Sequence, residues 1–309
     1  MGRHQTIVVG TRTSQLALAQ TAWVLEKLTE CCQDVAFQLR PMTTQGDRER
    51  GTELSQMGGS GAFTRELERA LADGEIDFAV HSYKDLPTET PEALTVAAVP
   101  ERADPFDVLV LRRAGSLEEL PAGAKVAAGS PRRREAMRCV RPDLQLVPVR
   151  GNIDTRLDKL AAGDFEALVM AKAALDRSGH TVRTVSLAEV MLPAPAQGAL
   201  AVETRSSDGT LLELVQTVHD PEAGLETSAE RRVLAGLGGG CHLPLGVLAR
   251  VRSARFSLRA AVYAEGQAFP FSVDGAMGEA WRLTEELVGK IKDRFPEGLP
   301  VGQPPATER

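Results

Sequence analysis

The sequence is poor in cysteine and in aromatic residues and has no long apolar run, and each shortage narrows the possible functions. Its four cysteines include no pair in C-x-x-C spacing, so we expect neither a disulfide framework nor a metal site, and a reducing cytoplasm fits. Aromatic residues make up 4% of the chain, which weakens any stacking platform for single-stranded nucleic acid. No run of about 18 apolar residues occurs, so no segment is predicted to cross a membrane.

Positive charge is not in excess either. The formal net charge is −6, which argues against a nucleic-acid partner, because binding to phosphates needs many Lys and Arg side chains. At 309 residues the chain is long enough for two or three domains, each with its own hydrophobic core. With 43% hydrophobic and 25% charged residues, the composition is that of an ordinary globular protein.

Short apolar runs alternate with amphipathic segments along most of the chain. This alternation predicts parallel sheets with helices on both faces. Turn-like residues at 101–105 and 193–198 interrupt it and are predicted to be crossings between domains, after which 199–203 re-enters the first sheet. The order of elements after about residue 219 predicts a small α+β domain, and the Pro- and Gly-rich residues from 296 are predicted to be disordered.

One polar stretch follows directly on a predicted buried strand. The apolar run 76–80 leads into His81, Ser82, Tyr83, Lys84 and Asp85, and Pro87 then ends the strand because proline has no N–H to donate. Strand ends are where open α/β sheets bind ligands. Adjacent side chains on a strand point to opposite faces, so Lys84 and Asp85 reach one ligand only if they lie on a turn. A solvent-exposed ion pair is the alternative.

Three predicted strand-to-helix junctions carry arginine near the first turn of the helix. They contain Arg12 with Ser14, then Ser130 with Arg132 and Arg133, then Arg150 with Arg156 beside Asn152. Helix N-termini favour anions through their free N–H groups and the macrodipole, and arginine adds two parallel donors for a carboxylate or phosphate. A single junction of this kind is usually structural or solvated, but three in an acidic protein predict a ligand with several negative groups.

Cys241 stands apart from the other cysteines because it follows three glycines, Gly238 to Gly240. Glycine permits backbone conformations and close approaches that other residues forbid. A cysteine on such a loop is better placed to react or to carry a group than a cysteine within a helix. Cys31, Cys32 and Cys139 are predicted to pack as small apolar side chains.

Several motifs occur in a fixed order over nearly the whole chain. They are Gly10-Thr11-Arg12-Thr13-Ser14-Gln15-Leu16-Ala17, His81-Ser82-Tyr83-Lys84-Asp85-Leu86-Pro87, Gly129-Ser130-Pro131-Arg132-Arg133, Arg150-Gly151-Asn152 with Thr155-Arg156-Leu157, Gln197-Gly198, and Gly239-Gly240-Cys241-His242-Leu243-Pro244-Leu245-Gly246. Together they resemble the porphobilinogen deaminase family. The resemblance implies two periplasmic-binding-protein-like α/β domains with a cleft between them, plus a small α+β C-terminal domain. The implied boundaries are 1–99 with 199–218, then 100–198, then 219–309.

The same resemblance implies the chemistry. A transferase of this family deaminates four porphobilinogen molecules, joins them to a covalently held dipyrromethane and releases hydroxymethylbilane in tetrapyrrole biosynthesis. Cys241 is implied to hold the cofactor through a thioether, and Asp85 to bind pyrrole N–H groups, stabilise the cationic methylene-pyrrole and move protons. The residues implied to bind the cofactor and its carboxylates are, besides Cys241 and Asp85, Arg12, Ser14, Lys84, Ser130, Arg132, Arg133, Arg150, Arg156 and Gln197. A cytoplasmic monomer without a nucleic-acid or membrane partner is expected.

Two departures and two alternatives stay open from the sequence. Gln56 and Ser60 stand where bacterial members of the family often carry lysine, so how the loop 43–61 holds the growing chain is left open. A non-catalytic binding protein for a small polyanion also suits an α/β cleft with arginines, although no export signal is evident near Met1 and it gives Cys241 no role. A cysteine-dependent acyltransferase using Cys241 with His242 or His81 is the other alternative.

Overall fold

The computed structural model describes residues 6–32, 34–48, 61, 64–240 and 243–300. Its strands are β1 (Thr6–Arg12), β2 (Ala36–Met42), β3 (Phe78–Ser82), β4 (Leu94–Ala98), β5 (Asp107–Leu111), β6 (Lys125–Ala128), β7 (Gln145–Val147), β8 (Ala167–Ala171), β9 (Thr184–Ser186), β10 (Leu200–Arg205), β11 (Leu245–Arg252), β12 (Arg255–Ala264) and β13 (Gln267–Ala276). Its α-helices are α1 (Gln15–Cys31), α2 (Gln45–Arg48), α3 (Arg65–Ala72), α4 (Pro131–Val140), α5 (Ile153–Ala162), α6 (Lys172–Arg177), α7 (Gly209–Gln216), α8 (Pro221–Gly236) and α9 (Ala280–Arg294). Short 3-10 turns lie at Tyr83–Asp85 and Met277–Glu279.

The chain forms two compact units. The first contains Met1–Ala103 with Gly198–Leu225, and the second contains Asp104–Gln197 with Glu226–Arg309. The residues predicted as domains 2 and 3 thus lie mainly in one unit, although they form separate sheets. The division into three domains at the predicted boundaries stays a prediction.

The first unit is a five-stranded sheet in the order β2-β1-β3-β10-β4 with helices on both faces. On one face, Phe78 and Val80 of β3 pack with Val24 of α1 and Val215 of α7. On the other face, Ala79 packs with apolar side chains of α3. Successive strand residues face opposite sides, so two-sided burial explains why Phe78, Ala79 and Val80 are all apolar.

The second unit contains a five-stranded sheet, β7-β6-β8-β5-β9, and a three-stranded antiparallel sheet, β11-β12-β13. Helix α4 packs Met137 into one core with Tyr263 and Ala261 of β12. The other face of the larger sheet is covered by α5 and α6 through Leu160 and Leu175.

Helix α8 protects an exposed edge of the smaller sheet. Glu226 Oε1 accepts a hydrogen bond from Val251 N at 2.9 Å, and Glu230 Oε1 accepts one from Ala249 N at 2.9 Å. The two glutamates are four residues apart on the helix, so they reach successive outward-facing N–H groups of β11. Pairing of this kind prevents the edge strand from pairing with another chain.

The expectation of parallel sheets is wrong in part, because both five-stranded sheets are mixed. β10 runs antiparallel to β3 and β4, and β5 runs antiparallel to β8 and β9. The two exceptions, β10 and β5, are the strands that follow the predicted domain crossings. Such a strand enters the sheet from outside a βαβ unit, so it need not run parallel to the strands of that unit. The re-entry of 199–203 into the first sheet is confirmed as β10. No helix in the described ranges combines the length and apolarity needed to traverse a lipid bilayer.

Candidate active site

The first arginine junction lies where β1 passes into α1. Arg12 is the last residue of β1, and Ser14 caps α1 by accepting a hydrogen bond from Ala17 N at 3.3 Å. A serine hydroxyl that accepts from a backbone N–H still has its own hydrogen to donate. The junction therefore offers a half-buried arginine, a hydroxyl donor and a helix N-terminus to an anion.

Lys84 and Asp85 lie on the turn that the prediction required. β3 ends at Ser82, and a 3-10 turn over Tyr83–Asp85 follows it. Tyr83 N donates to Ala199 O at 3.0 Å, and Leu86 N closes the turn on Tyr83 O at 3.3 Å. Both charged side chains are half-buried rather than fully solvated. The turn releases both residues from the strict alternation of the strand, which is the condition that the sequence set for them to reach one ligand.

The turn and the first junction meet at one edge of the sheet. β1 and β3 are parallel neighbours, with Gly10 opposite Ala79, so their carboxyl ends lie side by side. Ser82 Oγ donates to Gln20 Oε1 of α1 at 3.0 Å, which ties the end of β3 to the helix that follows β1. Asp85 makes no hydrogen bond or ion pair with the described residues, so its oxygens can accept from a ligand.

The second unit repeats this arrangement with two junctions. Ser130 caps α4 by accepting from Arg133 N at 3.3 Å, with Pro131 in the first turn. Asn152 caps α5 by accepting from Thr155 N at 2.9 Å. β6 and β7 are parallel neighbours, so both caps lie at the same sheet edge.

The arginines of the second unit differ in whether their guanidinium groups already form hydrogen bonds within the protein. Arg156 Nε donates to Gly151 O at 2.8 Å, so the backbone holds one side of its guanidinium. Arg150 is half-buried and pairs with no residue among those the structure describes. Arg150 is therefore open to a ligand carboxylate.

Arg132 and Arg133 converge on a carboxylate that the sequence analysis missed. Arg132 Nη2 lies 2.7 Å from Asp107 Oδ2, and Arg133 donates to Asp107 Oδ1 through Nη2 at 2.7 Å and Nε at 3.0 Å. Asp107 is fully buried, and both guanidiniums are nearly so. Two positive charges share one negative charge, so the cluster keeps a net charge of about +1 that favours a further anion.

Gln197 belongs to the same cluster. Its Nε2 donates to Asp107 Oδ1 at 3.1 Å and to Pro105 O at 2.8 Å, and the residue is buried. Arg132 Nη1 also donates to Leu192 O at 2.7 Å. The structure thus shows Gln197 holding Asp107, while its predicted contact with a cofactor stays a prediction.

Three features predicted from the sequence lie outside the described residues. Cys241, the predicted attachment residue, is one of them, together with its neighbour His242. The loop positions Gln56 and Ser60 and the residues 301–309 of the predicted disordered tail are outside the description as well. The described residues at the start of the loop 43–61 include α2, so this part of the loop is not wholly irregular.

A half-buried carboxyl on α3 gives a pH-dependent prediction. Burial raises the pKa of Glu68 on α3, and the charge of Glu203 raises it further. The folded protein therefore binds the proton of the Glu68 carboxyl more tightly than the unfolded chain does. The resulting stabilisation of the fold is complete below the ordinary carboxyl pKa and is lost as the pH rises through the raised pKa of Glu68.

Glu68→Gln is accordingly expected to raise the free energy of unfolding at pH 7, and to raise it less at pH 4. The gain is about 1 kcal/mol or less, because solvent screens a half-exposed carboxyl. Thermal melts at the two pH values measure it, with Glu89→Gln at an exposed position as the control. A larger gain at pH 4 than at pH 7 would reverse the sign and contradict the prediction.

The fold and these junctions define an α/β protein of two compact units, each with cationic side chains at an edge of its five-stranded sheet. Residues 7–213 match the family described as porphobilinogen deaminase, dipyrromethane cofactor-binding domain, and residues 225–292 match its C-terminal domain. The chain belongs to the porphobilinogen deaminase family. The predicted activity of a transferase in tetrapyrrole biosynthesis and the predicted dipyrromethane cofactor are thereby confirmed.

Individual relatives agree with the family match. A porphobilinogen deaminase from Paenibacillus macerans is 46% identical over 256 residues, which cover 81% of this chain and 79% of the relative. One from Deinococcus radiodurans is 40% identical over 297 residues, which cover 94% of this chain and 96% of the relative. A crystal structure of a probable extracellular binding protein of a Bacillus subtilis amino-acid ABC transporter aligns with a TM-score of 0.42 at 13% identity, covering 70% of this chain and 90% of that one.

The residues of the second unit fit a cofactor that carries carboxylates. A Cβ at Gly129 would lie 3.3 Å from Val149 O and 3.8 Å from Arg156 Nη1, so glycine leaves this space open beside the guanidinium. The space lies between the caps of α4 and α5, where backbone N–H groups favour anions.

Proposed function

We propose that Asp85 is the catalytic carboxylate of this porphobilinogen deaminase and that the arginine junctions bind the acetate and propionate groups of the pyrroles. The observation that carries this proposal is the turn after β3. It sets Lys84 and Asp85 at the sheet edge that also holds Arg12 and Ser14. An acid at the end of a strand, at a sheet edge that also carries cationic side chains, suits a substrate with a negative periphery and a reacting centre that becomes positive.

Asp85 acts on the charge that develops as ammonia leaves the substrate. A carboxylate facing the forming methylene-pyrrole cation stabilises it more than it stabilises neutral porphobilinogen, and this difference lowers the barrier. The same oxygens accept pyrrole N–H hydrogen bonds and exchange a proton with the reacting carbon or amine. Lys84 and the arginines are unable to take this role, because a cation would repel the intermediate.

The cationic side chains orient the ligand. In the first unit Arg12, Ser14 and Lys84 bind carboxylates. In the second unit, Arg150 and Arg156 do so beside the caps of α4 and α5, with Ser130 as a hydroxyl donor. When bound, dipyrromethane supplies the pyrrole carbon to which the first substrate unit is joined.

The cluster around Asp107 is proposed both to fix the orientation of two guanidiniums and to attract a cofactor carboxylate. Its members are Arg132, Arg133 and Gln197. Asp107 holds the two guanidiniums in fixed orientations, and fixed donors lose less entropy on binding than mobile ones. The uncompensated positive charge of the cluster attracts a cofactor carboxylate. Gln197 keeps Asp107 in place rather than competing for the arginines.

Cys241 is proposed to carry the cofactor, and the intact mass of the protein tests this. Protein purified after expression with tetrapyrrole precursors is expected to exceed the polypeptide mass by one dipyrromethane and to react with a pyrrole-detecting aldehyde. Cys241→Ser is expected to show the bare polypeptide mass, while Cys139→Ser, as the matched control, keeps the added mass. A wild-type protein of bare polypeptide mass would contradict the assignment.

A cytoplasmic location and a monomeric state complete the proposal. The cysteine pattern supports the first, because the four cysteines include no C-x-x-C pair. Light scattering on the purified holoenzyme tests the second, and a mass of twice the chain would contradict it.

A further inference from the structure

Glu203 on β10 is a buried carboxylate with an unusual lack of hydrogen-bond donors. Its side chain is 1% exposed, and within the described ranges neither of its oxygens receives a hydrogen bond. Its partner is His81, whose Nε2 lies 3.1 Å from Glu203 Oε2 but without hydrogen-bond geometry. Such an arrangement is expensive, because a buried charge loses its hydration and regains only part of it from one neighbour.

Two other buried carboxylates, those of Asp107 and Glu230, are well satisfied. Asp107 receives hydrogen bonds from two arginines and a glutamine, as described above. Glu230 accepts from Ala196 N at 2.7 Å and from Ala249 N at 2.9 Å. Glu203 departs from this pattern, and departures from hydrogen-bond satisfaction in a native protein are concentrated at functional positions.

The pair lies directly before the catalytic turn. Glu203 is opposite Ala79, and His81 is opposite Ala201, in the antiparallel pairing of β10 with β3. Ala79 packs towards α3, so alternation places His81 on that same face of the sheet.

Ser82 points to the opposite face, where it donates to Gln20 of α1 at 3.0 Å. The last two side chains of β3 are therefore each held from one face, His81 through Glu203 and Ser82 through Gln20. Tyr83, Lys84 and Asp85 follow immediately.

Helix α3 adds further charge to the His81 face. The charges of Glu203, His81 and Arg65 all act on Glu68, whose pKa is raised. A second carboxylate, that of Glu68, therefore lies close enough to His81 and Glu203 for their charges to act on it. Apolar side chains would fill this space at a lower cost in free energy than two acids do. Packing alone therefore does not explain why both acids are present.

We propose that Glu203 and His81 form a buried pair that positions the turn carrying Asp85. The proposal rests on the catalytic role proposed for Asp85. Both side chains are buried within the sheet, so they act as positioning residues and touch no ligand. Displacement of a catalytic group by about 1 Å lowers the rate by about 100-fold. The groups that bind substrate carboxylates lie elsewhere, so the loss is expected in kcat and not in KM.

Glu203→Gln tests the pair with little change in shape. We expect kcat for porphobilinogen to fall by about 10- to 100-fold with KM within about threefold of wild type. The dipyrromethane mass is expected to stay on the protein. The backbone amide resonances of Tyr83, Lys84 and Asp85 are expected to shift, a signature that lost stability alone would not produce. A kcat within twofold of wild type, or a loss confined to KM or to cofactor content, would overturn the proposal.

Asp77→Asn is the matched control in the same unit. Asp77 accepts from Val8 N at 2.7 Å and pairs with Arg205 at 3.3 Å, away from the turn. This variant is expected to lower the melting temperature without changing kcat or the amide resonances of the turn. An equal loss of kcat in Asp77→Asn would show that any destabilisation of the unit lowers activity, which counts against the pair.

A double variant keeps the test decisive if Glu203→Gln unfolds. His81→Leu with Glu203→Leu removes both polar groups, and apolar replacement of a buried pair usually preserves the fold. It is expected to fold and still to have a lowered kcat. Wild-type kcat in the double variant would overturn the proposal, and so would failure to fold, because the pair would then be needed for the fold itself.

Two variants together distinguish a failure of the positioning role from a failure of the catalytic role proposed for Asp85. Full activity in Asp85→Asn would remove the role of Asp85, whatever Glu203→Gln shows. An inactive Asp85→Asn together with a fully active Glu203→Gln would remove only the positioning role of the pair.

Discussion

Asp85→Asn is expected to lower kcat for porphobilinogen by at least about 1,000-fold while the protein keeps its fold. The asparagine retains the shape of the side chain but carries no negative charge and is a poor proton acceptor. Loss of a general acid–base group costs about 100- to 10,000-fold, and loss of charge stabilisation in the transition state adds to this. Asp85 has no partner among the described residues, so its replacement leaves no buried group unpaired and stability should change little.

The measurements for this variant are ammonia release, thermal unfolding and intact mass. Ammonia release reports the first chemical step directly and does not depend on completion of the tetrapyrrole. Asp85→Ala should be inactive as well, and the exposed Glu89→Gln should release ammonia at the wild-type rate. Near-normal ammonia release from Asp85→Asn would refute the assigned role.

The end of β3 illustrates how far local chemistry predicts this site. Pro87 indicates that the strand stops before it, because proline lacks an N–H, and two adjacent charges needed a turn to act together. The structure supplies that turn at Tyr83–Asp85. The helix starts were predictable for the same reason, since Ser14 and Ser130 are capping residues followed by helical patterns.

The missed residues depend on tertiary structure. Asp107 follows the predicted crossing at 101–105 by two residues, and no local pattern marks it as the partner of a distant arginine. The antiparallel pairing of β5 with β8 brings Asp107, opposite Ala171, to the edge at which β8 ends. Strand direction after a domain crossing is set by the pairing partner and not by local sequence, so neither Asp107 nor its partnership with Arg132 was visible.

Glu203 was missed for a related reason. It stands in an apolar strand, where a single acid gives no sign of its partner. Only the register of β10 on β3 places it beside His81. Buried polar pairs across a sheet join residues far apart in the chain, so sequence spacing has no bearing on them.

The other large effect is expected at Asp107. Asp107→Asn removes the negative charge between Arg132 and Arg133 and turns an amide donor towards their guanidinium donors. Breaking a buried ion pair on one side costs about 3–5 kcal/mol, because the remaining charge stays buried without compensation. For a folding unit of this size, such a loss lowers the melting temperature by about 10 °C. The arginines also lose their fixed orientation, so a smaller fraction of the protein should carry dipyrromethane.

Asp143→Asn is the matched control, because it differs from Asp107→Asn mainly in burial. Asp143 forms a two-point pair with Arg141 in the same unit, with Nε and Nη2 each 2.7 Å from a carboxylate oxygen, but the Asp143 side chain is 38% exposed whereas that of Asp107 is fully buried. Exposed pairs contribute little, so its melting temperature and cofactor content should match those of wild type. Equal melting temperatures for the two variants would mean that Asp107 is not the charge that allows Arg132 and Arg133 to be buried. In that case their burial would have to be balanced by some other group, and the net positive cluster proposed here as a carboxylate site would lose its basis.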